Sequence, residues 1–323
     1  MNEKMDVRRT AIFLGFAFGI AWTTGLVLYL TGGLVGSPMI LPGISLALVL
    51  LAGPYMWAPA LAHIFTRLVT REGWQGAFLR PNFRRGWPFW IIAWFLPAIL
   101  TVLGAVVFFG LFPQYFDPSL GVVAQQLATA EQQTGQAIPL TPWMVVIINS
   151  TIGVLIAPLI NSLFTFGEEF GWRSYLLQKL MPLGGRKAML LMGVIWGVWH
   201  WPVIAMGHNY GLDYVGAPWL GMLMMVVFTV VMGIFLGWVA LRGGSVWPAV
   251  IGHAAINGVA GLAVYFIQGE PNPLLGPLPV GLIAMIPGML VAAWIFASRS
   301  ALVVPEALVV PDAKLETAEG AVL

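Results

Sequence analysis

The feature that most constrains this chain is a series of apolar stretches, each long enough to cross a lipid bilayer. A helix needs about 20 apolar residues to do so, and eight such stretches can be marked in the 323-residue sequence. They cover residues 11–31, 40–66, 88–112, 142–166, 188–206, 218–241, 245–267 and 277–297. The sequence therefore predicts an all-α, polytopic membrane protein with about eight transmembrane helices.

The overall composition agrees with this class. Hydrophobic residues make up 59% of the chain and charged residues only 9%, whereas about a quarter of an ordinary soluble domain is charged. A soluble enzyme is therefore excluded, and the net charge of +2 gives no indication of a nucleic-acid partner. Because the chain contains no cysteine, disulfides, thiolate nucleophiles and Cys-ligated metals are excluded as well.

The basic residues predict an orientation in the membrane. Short cytoplasmic loops accumulate Lys and Arg, and all 15 bases fall in the N-terminal tail or after the second, fourth, sixth and eighth stretches. The ionisable residues of the opposite loops are Asp117, Glu131, Asp213, Glu270 and His208. We predict a multi-pass protein of the cell membrane with cytoplasmic tails over 1–10 and 299–323 and a membrane domain over 11–298.

A few ionisable and amide side chains interrupt the apolar stretches. An ionisable group inside a bilayer costs about 2.5–3.5 kcal/mol on insertion scales, so each one is a functional candidate. They are His63, Asn149, Asn161, Glu168, Glu169, Arg173, His200, His253 and Asn257. We interpret His63 as interfacial or structural, and Asn149 and Asn161 as residues that form hydrogen bonds between helices. We interpret His208 and Asn209 as solvated residues of an outer loop.

The densest group follows the fourth stretch. On a helix, Glu169 and Arg173 are four residues apart and can pair, whereas Glu168 points about 100° away from Glu169 and stays free of that pair. His253 and Asn257 are also four residues apart and share a helix face. With His200, these residues form three polar groups on three helices, and we predict that they converge inside the bundle.

The converging residues include no obvious nucleophile, so they favour water as the attacking group and hydrolysis as the reaction. In this hypothesis Glu168 removes a proton from water, with His200 assisting, and returns it to a leaving amine. His253 and Asn257 would stabilise the oxyanion. Glu169 and Arg173 would hold the geometry. An alternative is a zinc site formed by Glu168, His200 and His253, although no HExxH motif is present.

Three motifs in this order resemble those of the CPBP intramembrane proteases, which include the CAAX prenyl endopeptidases and bacterial Abi proteins. Residues 168–173 (EEFGWR) fit EExxxR, residues 196–200 (WGVWH) fit aromatic-xxx-His, and residues 253–257 (HAAIN) fit HxxxN. The second motif begins with Trp196, where Phe is commoner. The resemblance covers about residues 160–260, and we place the family core at about 142–268.

The resemblance implies a fold of eight spans with an intramembrane active site. It assigns Glu168 as the catalytic base, His200 as its water-activating partner, and His253 with Asn257 as the oxyanion site. It also implies a membrane-anchored or prenylated protein or peptide as substrate, met in the lipid bilayer. No prenyl-binding signature is visible in the sequence.

Two other classes stay open at this point. A proton- or ion-coupled transporter would use intramembrane His and Glu as a relay, but no internal repeat supports it. A non-catalytic membrane scaffold is the other. Residue counting places Glu168 nearer the cytoplasmic boundary than His200 or His253. We therefore expect a tilt or break at Pro158 that brings the three into one water-filled cavity open to the cytoplasmic half.

Overall fold

The structure is a computed structural model and describes residues 5–298 and 300–303. Helices account for nearly all of its regular secondary structure. A single antiparallel hairpin within these residues pairs strand β1 (Met39–Leu41) with strand β2 (Ile44–Ser45). The predicted all-α, polytopic class is confirmed. Apart from residues 300–303, the predicted C-terminal tail lies outside the described residues.

The α-helices of the described residues are numbered in chain order. They are α1 (Val7–Leu30), α2 (Leu46–Leu50), α3 (Met56–Thr70), α4 (Phe83–Leu111), α5 (Gly121–Thr134), α6 (Pro142–Leu155), α7 (Ala157–Gly171), α8 (Leu177–Leu180), α9 (Gly185–Trp199), α10 (Trp201–Ala205), α11 (Trp219–Gly243), α12 (Trp247–Val259) and α13 (Ile286–Ala297). A π-helical turn over Leu51–Tyr55 joins α2 to α3, and another over Trp172–Leu176 joins α7 to α8.

The number of helices able to cross a membrane is smaller than eight. Within the described residues, five helical stretches are long and apolar enough, and there are six if the bent pair α6 and α7 is counted as one span. The five are Val7–Leu30, Leu46–Thr70, Phe83–Leu111, Trp219–Gly243 and Trp247–Phe266. The polytopic class holds, but the count of about eight is corrected to five or six.

Two of the predicted spans fall short because the chain breaks inside them. In the stretch 188–206, α9 has 15 residues and ends before His200, and α10 adds only five, with Pro202 in its first turn. In the stretch 277–297, only the 12 residues of α13 are α-helical, and Pro287 stands in its first turn. Proline lacks an N–H and clashes with a preceding helical turn, so it starts a helix more readily than it continues one.

The centre of the bundle is formed by α3, α7, α9, α11 and α12, and large side chains fill it. Phe13, Trp172 and Trp199 are fully buried there. Many equally apolar side chains on the outer surfaces are instead exposed, including Ile99 and Leu163. This inversion of the soluble-protein pattern is expected where the surrounding solvent is hydrocarbon.

A group of charges, which we call the charged cluster, ties together the start of α1, the end of α3 and α8. Glu72 lies 2.5 Å from Lys179 Nζ and 3.4 Å from Arg9 Nε, and it accepts a hydrogen bond from Tyr175 at 2.9 Å. Although burial acts in the opposite direction, the hydrogen bonds and charge of Lys179, with those of Tyr175 and Arg67, hold the pKa of Glu72 below its ordinary value. The cluster thus contributes to stability while Glu72 is ionised.

Candidate active site

A bend in the chain brings the two glutamates into the bundle. Helices α6 and α7 meet at an angle of 48° near Ile156, and Pro158 lies in the first turn of α7. The helical stretch that begins at α7 then continues through Leu183. Glu168 therefore lies in the middle of this stretch, not near its end. The predicted end of the helix at residue 166 was wrong, and the break expected at Pro158 is present.

Two glycines position α7 directly against α3. A Cβ atom on Gly167 would lie 2.7 Å from the carbonyl oxygen of Met56, and a Cβ atom on Gly171 would overlap the backbone of Pro59. Small residues allow helices to approach this closely in membranes. The contact fixes the rotation of α7, which carries Glu168 and Glu169 on the turn between the two glycines.

Glu169 connects two motifs through a single oxygen atom. Its Oε1 lies 2.8 Å from Arg173 Nη1 on the next turn and 2.9 Å from Nδ1 of His253 on α12. All three side chains are buried, with 0%, 1% and 7% exposure for Glu169, Arg173 and His253. The structure thus contains the Glu169–Arg173 pair expected from the sequence and adds a contact with His253 that the motif spacing alone did not indicate.

Glu168 makes a different contact, which sequence reasoning missed. The indole N–H of Trp196 donates a hydrogen bond of 2.7 Å to Oε2 of Glu168. The guanidinium of Arg173 stacks over the same indole, 4.3 Å from its centroid. The one available signal was the position of Trp196 at the start of the aromatic-xxx-His motif, where a Phe would pack but could not donate to the carboxylate.

His200 lies at the break between α9 and α10. Its Nδ1 lies 2.8 Å from the carbonyl oxygen of Trp196, one turn earlier, and its ring packs edge-on against Trp196 and Trp199. Among the hydrogen bonds of the described residues, none joins His200 to Glu168. Any cooperation between these two side chains must therefore pass through a water molecule or a substrate.

Four of the six predicted site residues face one cavity of about 330 Å³. Glu168, His200, His253 and Asn257 all line it. Glu169 and Arg173 do not line the cavity. Glu169 contacts the lining residue His253, and Arg173 contacts the lining residue Trp196. The predicted convergence of the three motifs is therefore present. His208 and Asn209, which we had interpreted as solvated loop residues, also line the cavity.

The residues at this cavity do not fit the zinc alternative. Within the described residues, no group of three or more His, Cys, Asp or Glu side chains is arranged to hold a metal ion. One nitrogen of His253 is occupied by Glu169, and one oxygen of Glu168 by the indole of Trp196. The set of Glu168, His200 and His253 therefore lacks support as a ligand set, and no step of the reaction is derived through a metal.

The histidine predicted to be structural is held by contacts on both ring nitrogens. Nδ1 of His63 lies 2.8 Å from the carbonyl oxygen of Phe170, and Nε2 accepts a hydrogen bond of 2.6 Å from Nε of Arg67. His63 is fully buried and does not line the cavity. Its contact with Phe170 lies near the end of α7, just before the π-helical turn that follows the two glutamates.

Comparison with known proteins bears on the same part of the chain. Residues 140–259 match the family model described as type II CAAX prenyl endopeptidase Rce1-like. CAAX prenyl protease 2 of Methanococcus maripaludis is 33% identical over 93 residues, which are 28% of this chain and 34% of that relative. The chain thus matches about a third of the relative's length. The matched region contains all three motifs, and the resemblance inferred from them is confirmed.

Proposed function

We propose, from the match of residues 140–259 to the Rce1-like model of type II CAAX prenyl endopeptidases, that the protein is an intramembrane endopeptidase. It hydrolyses a peptide bond of a membrane-associated polypeptide. One observation carries the proposal: a buried carboxylate, Glu168, shares a cavity with His200, His253 and Asn257. A general base and hydrogen-bond donors around one cavity with room for water are the minimum for attack of water on a carbonyl.

Glu168 is the general base in this proposal. Its Oε2 is held by the indole N–H of Trp196, which leaves the other carboxylate oxygen to take a proton from water. The hydroxide equivalent adds to the carbonyl carbon of the scissile peptide, and the C=O π electrons move to oxygen. His200, whose Nδ1 is held by the carbonyl oxygen of Trp196, orients the water with its other ring nitrogen. A positioned base of this kind contributes about 10²–10⁴-fold to the rate.

His253 and Asn257 stabilise the oxyanion that forms. They lie one helical turn apart on α12 and line the same cavity. Nδ1 of His253 donates to Glu169, so Nε2 donates to the oxyanion when the ring carries a proton on each nitrogen. The side-chain N–H of Asn257 is a second donor. Arg173 balances the charge of Glu169 and keeps its oxygen in place.

The last step returns the proton from Glu168 to the leaving amine as the C–N bond breaks. The products are a carboxylic acid and an amine, which become a carboxylate and an ammonium group when the acid's proton passes to the amine, and Glu168 is again ionised. By likeness to the relative named CAAX prenyl protease 2, we propose a prenylated or otherwise membrane-anchored polypeptide as the substrate. The lipid bilayer is the second partner, since it holds enzyme and substrate in one plane.

The proposal is tested by cleavage of a farnesylated peptide ending in a CAAX sequence, with its unfarnesylated copy alongside, by the detergent-purified protein. We expect Glu168→Gln to lower kcat/KM by about 10²–10⁴-fold, because Gln keeps the size and one acceptor oxygen of Glu but cannot act as a base. Glu270→Gln changes an exposed residue that does not line the cavity and is expected to match the wild type.

Each other outcome has a defined meaning. Full activity in Glu168→Gln would overturn the assignment of the base. Loss of wild-type activity in a chelator, restored by zinc, would overturn the water-activation scheme in favour of a metal. A folded wild type that cleaves neither these peptides nor a library of membrane-anchored peptides would overturn the endopeptidase proposal. The transporter and scaffold alternatives would then gain weight.

A further inference from the structure

The carbonyl oxygen of Trp199 lies at the break between α9 and α10, where the helical hydrogen-bond pattern is interrupted. In a continuous α-helix this oxygen would accept a hydrogen bond from the N–H four residues later. That residue is Val203, whose N–H bonds instead to the carbonyl oxygen of His200 at 3.1 Å. The residue before it, Pro202, has no N–H to donate. Because a buried carbonyl without a donor is costly, the break requires a donor from elsewhere in the protein.

Two side chains from the N-terminal part of the chain donate to this oxygen. The hydroxyl of Tyr55 donates a hydrogen bond of 2.8 Å to the carbonyl oxygen of Trp199. The indole N–H of Trp22 donates to the same oxygen at 3.3 Å. A carbonyl oxygen has two lone pairs, so these two bonds satisfy it. The break is therefore held by two separate elements, α1 and the π-helical turn before α3.

The packing of α1 against α10 supports these two bonds. A Cβ atom on Gly25 of α1 would lie 2.9 Å from Cβ of Pro202 and 3.7 Å from Cε2 of Tyr55. A glycine at this position lets α1 approach the break closely. Trp22 precedes Gly25 by three residues and therefore lies on the same face of α1. The ring of Tyr55 also packs against that of Trp199, with their centroids 4.6 Å apart.

His200 directly follows the carbonyl that these side chains hold, so the direction of its ring depends on the geometry of the break. Nδ1 of His200 lies 2.8 Å from the carbonyl oxygen of Trp196. Because a carbonyl oxygen only accepts, Nδ1 carries the proton and Nε2 is left as an acceptor. His200 and Tyr55 line the same cavity, as does Leu51 at the other end of the π-helical turn. The donors to the break thus lie beside the ring that they would orient.

We propose that Tyr55 and Trp22 are positioning residues for His200. They fix the carbonyl oxygen of Trp199 and thereby hold Nε2 of His200 toward the cavity, where it orients the attacking water. The part of His200 in the reaction rests on the proposed function, whereas the effect of the two side chains on its ring does not. Tyr55 and Trp22 both lie outside the matched segment 140–259. The N-terminal helices thus complete a site whose three motifs all lie within that segment.

Because the chain has only four histidines, the ring of His200 can be observed without a substrate. Histidine labelled with a nitrogen isotope is incorporated, ring signals of the detergent-purified protein are recorded by NMR, and His200→Gln identifies the signal of His200. We expect Tyr55→Phe to shift or broaden that signal, because the break relaxes when its carbonyl loses a buried donor. The matched control is Tyr210→Phe, whose buried hydroxyl donates to the carbonyl oxygen of Val280 at 3.1 Å. A His200 signal that responds equally to both changes, or to neither, would overturn the inference.

Kinetics on a cleaved peptide separate positioning from a general effect on stability. We expect Tyr55→Phe to lower kcat about 10- to 100-fold at unchanged KM, because a displacement of about 1 Å in a catalytic group can cost about 100-fold in rate. In the His200→Ala background the same change should lower kcat by about twofold at most, since the positioned group is gone. An equal factor in the two backgrounds would show a purely structural role for Tyr55 and would overturn the inference.

Trp22→Phe tests the second donor. Its bond is longer than that of Tyr55, so we expect a smaller loss of kcat and a shift of the same His200 signal. The control is Trp90→Phe, whose indole donates to the carbonyl oxygen of Pro81 at the same distance of 3.3 Å, away from the cavity. An effect no larger than that of Trp90→Phe would overturn the role of Trp22. If the wild type cleaves no peptide, the proposed function fails, while the His200 signal still decides whether the two side chains position the ring.

Discussion

His63 and His253 are both buried histidines near a carboxylate, yet the structure uses them differently. His63 lies beside the charged cluster, and both of its ring nitrogens are taken by Phe170 and Arg67. His253 uses one nitrogen to contact Glu169 and presents its ring to the cavity. Burial and residue type are alike, so the free nitrogen and the adjoining space distinguish the candidate catalytic histidine from the structural one.

The same contrast holds for the acids of the two regions. Glu72 is shared among Lys179, Arg9 and Tyr175, and these bonds join three parts of the chain. Glu168 has one hydrogen-bond donor, Trp196, and lines a cavity. Groups whose hydrogen-bonding positions are all taken by the protein stabilise the fold. A group with an open hydrogen-bonding position that faces a cavity can act on a substrate.

The largest effect is expected at Glu169, because it pairs with Arg173 inside the protein and also contacts His253 at the cavity. Its removal in Glu169→Ala leaves Arg173 charged and unpaired in the bundle, which typically costs about 3–5 kcal/mol of unfolding free energy. The measurement is unfolding in mixed micelles followed by tryptophan fluorescence, with exposed Asp213→Ala as the control. A loss under 1 kcal/mol would show that the pair contributes far less than its burial indicates.

The next effect separates the two histidines. We expect His253→Ala to lower kcat about 100- to 1,000-fold, as for loss of one oxyanion donor. We expect His63→Ala to lower the free energy of unfolding by about 1–3 kcal/mol, because Arg67 loses a buried acceptor. Activity per folded molecule should then stay within a few-fold of wild type. Equal losses of kcat in the two variants would break the comparison.

Trp196→Phe tests the contact that holds the proposed base. Phe preserves an aromatic ring beneath Arg173 but removes the N–H that donates to Glu168. A hydrogen bond to a charged group contributes about 1.5–3 kcal/mol, so kcat/KM should fall about 10- to 100-fold. The matched control is Trp199→Phe, whose indole donates to the neutral carbonyl oxygen of Ala17. If Trp196→Phe loses no more activity than Trp199→Phe, Trp196 does not position Glu168.

The smallest effect concerns the charged cluster and pH. The pKa of Glu72 is below its ordinary value of 4.5, so its contribution is complete above that value and is lost as the pH falls through the lowered pKa. We expect acid to cost the wild type about 1 kcal/mol through this group, and Glu72→Gln to lack that slope. Unfolding measured between pH 6 and pH 3 checks it, and exposed Glu270→Gln should retain the wild-type slope.

The convergence of the motifs could be predicted from the sequence because each is isolated among apolar residues. Glu168, His200, His253 and Asn257 would each be costly against lipid, and one shared cavity removes that cost. The end of the helix after Phe166 could not be predicted in this way. Hydropathy treats Glu169 and Arg173 as two charges that end a span, whereas in the structure they pair and the helix continues.

Other details depend on packing that no sequence pattern specifies. The bond from Trp196 to Glu168 requires a particular rotation of α9 relative to α7. The place of His208 in the cavity wall depends on how a loop folds over the ends of several helices. The count of spans is a different case: it was wrong because it used apolar length alone, although Pro202 and Pro287, which interrupt two of the stretches, are visible in the sequence.

The close contact of Gly167 and Gly171 with α3 also determines which parts of the site can move. Where two backbones touch, no intervening side chain can change its rotamer to let the helices slide apart. The floor of the cavity around Glu168 therefore keeps one shape. Widening falls to the connection that carries His208 and Asn209, since loops rearrange on the nanosecond to microsecond scale. The site thus combines a rigid floor with an adjustable wall.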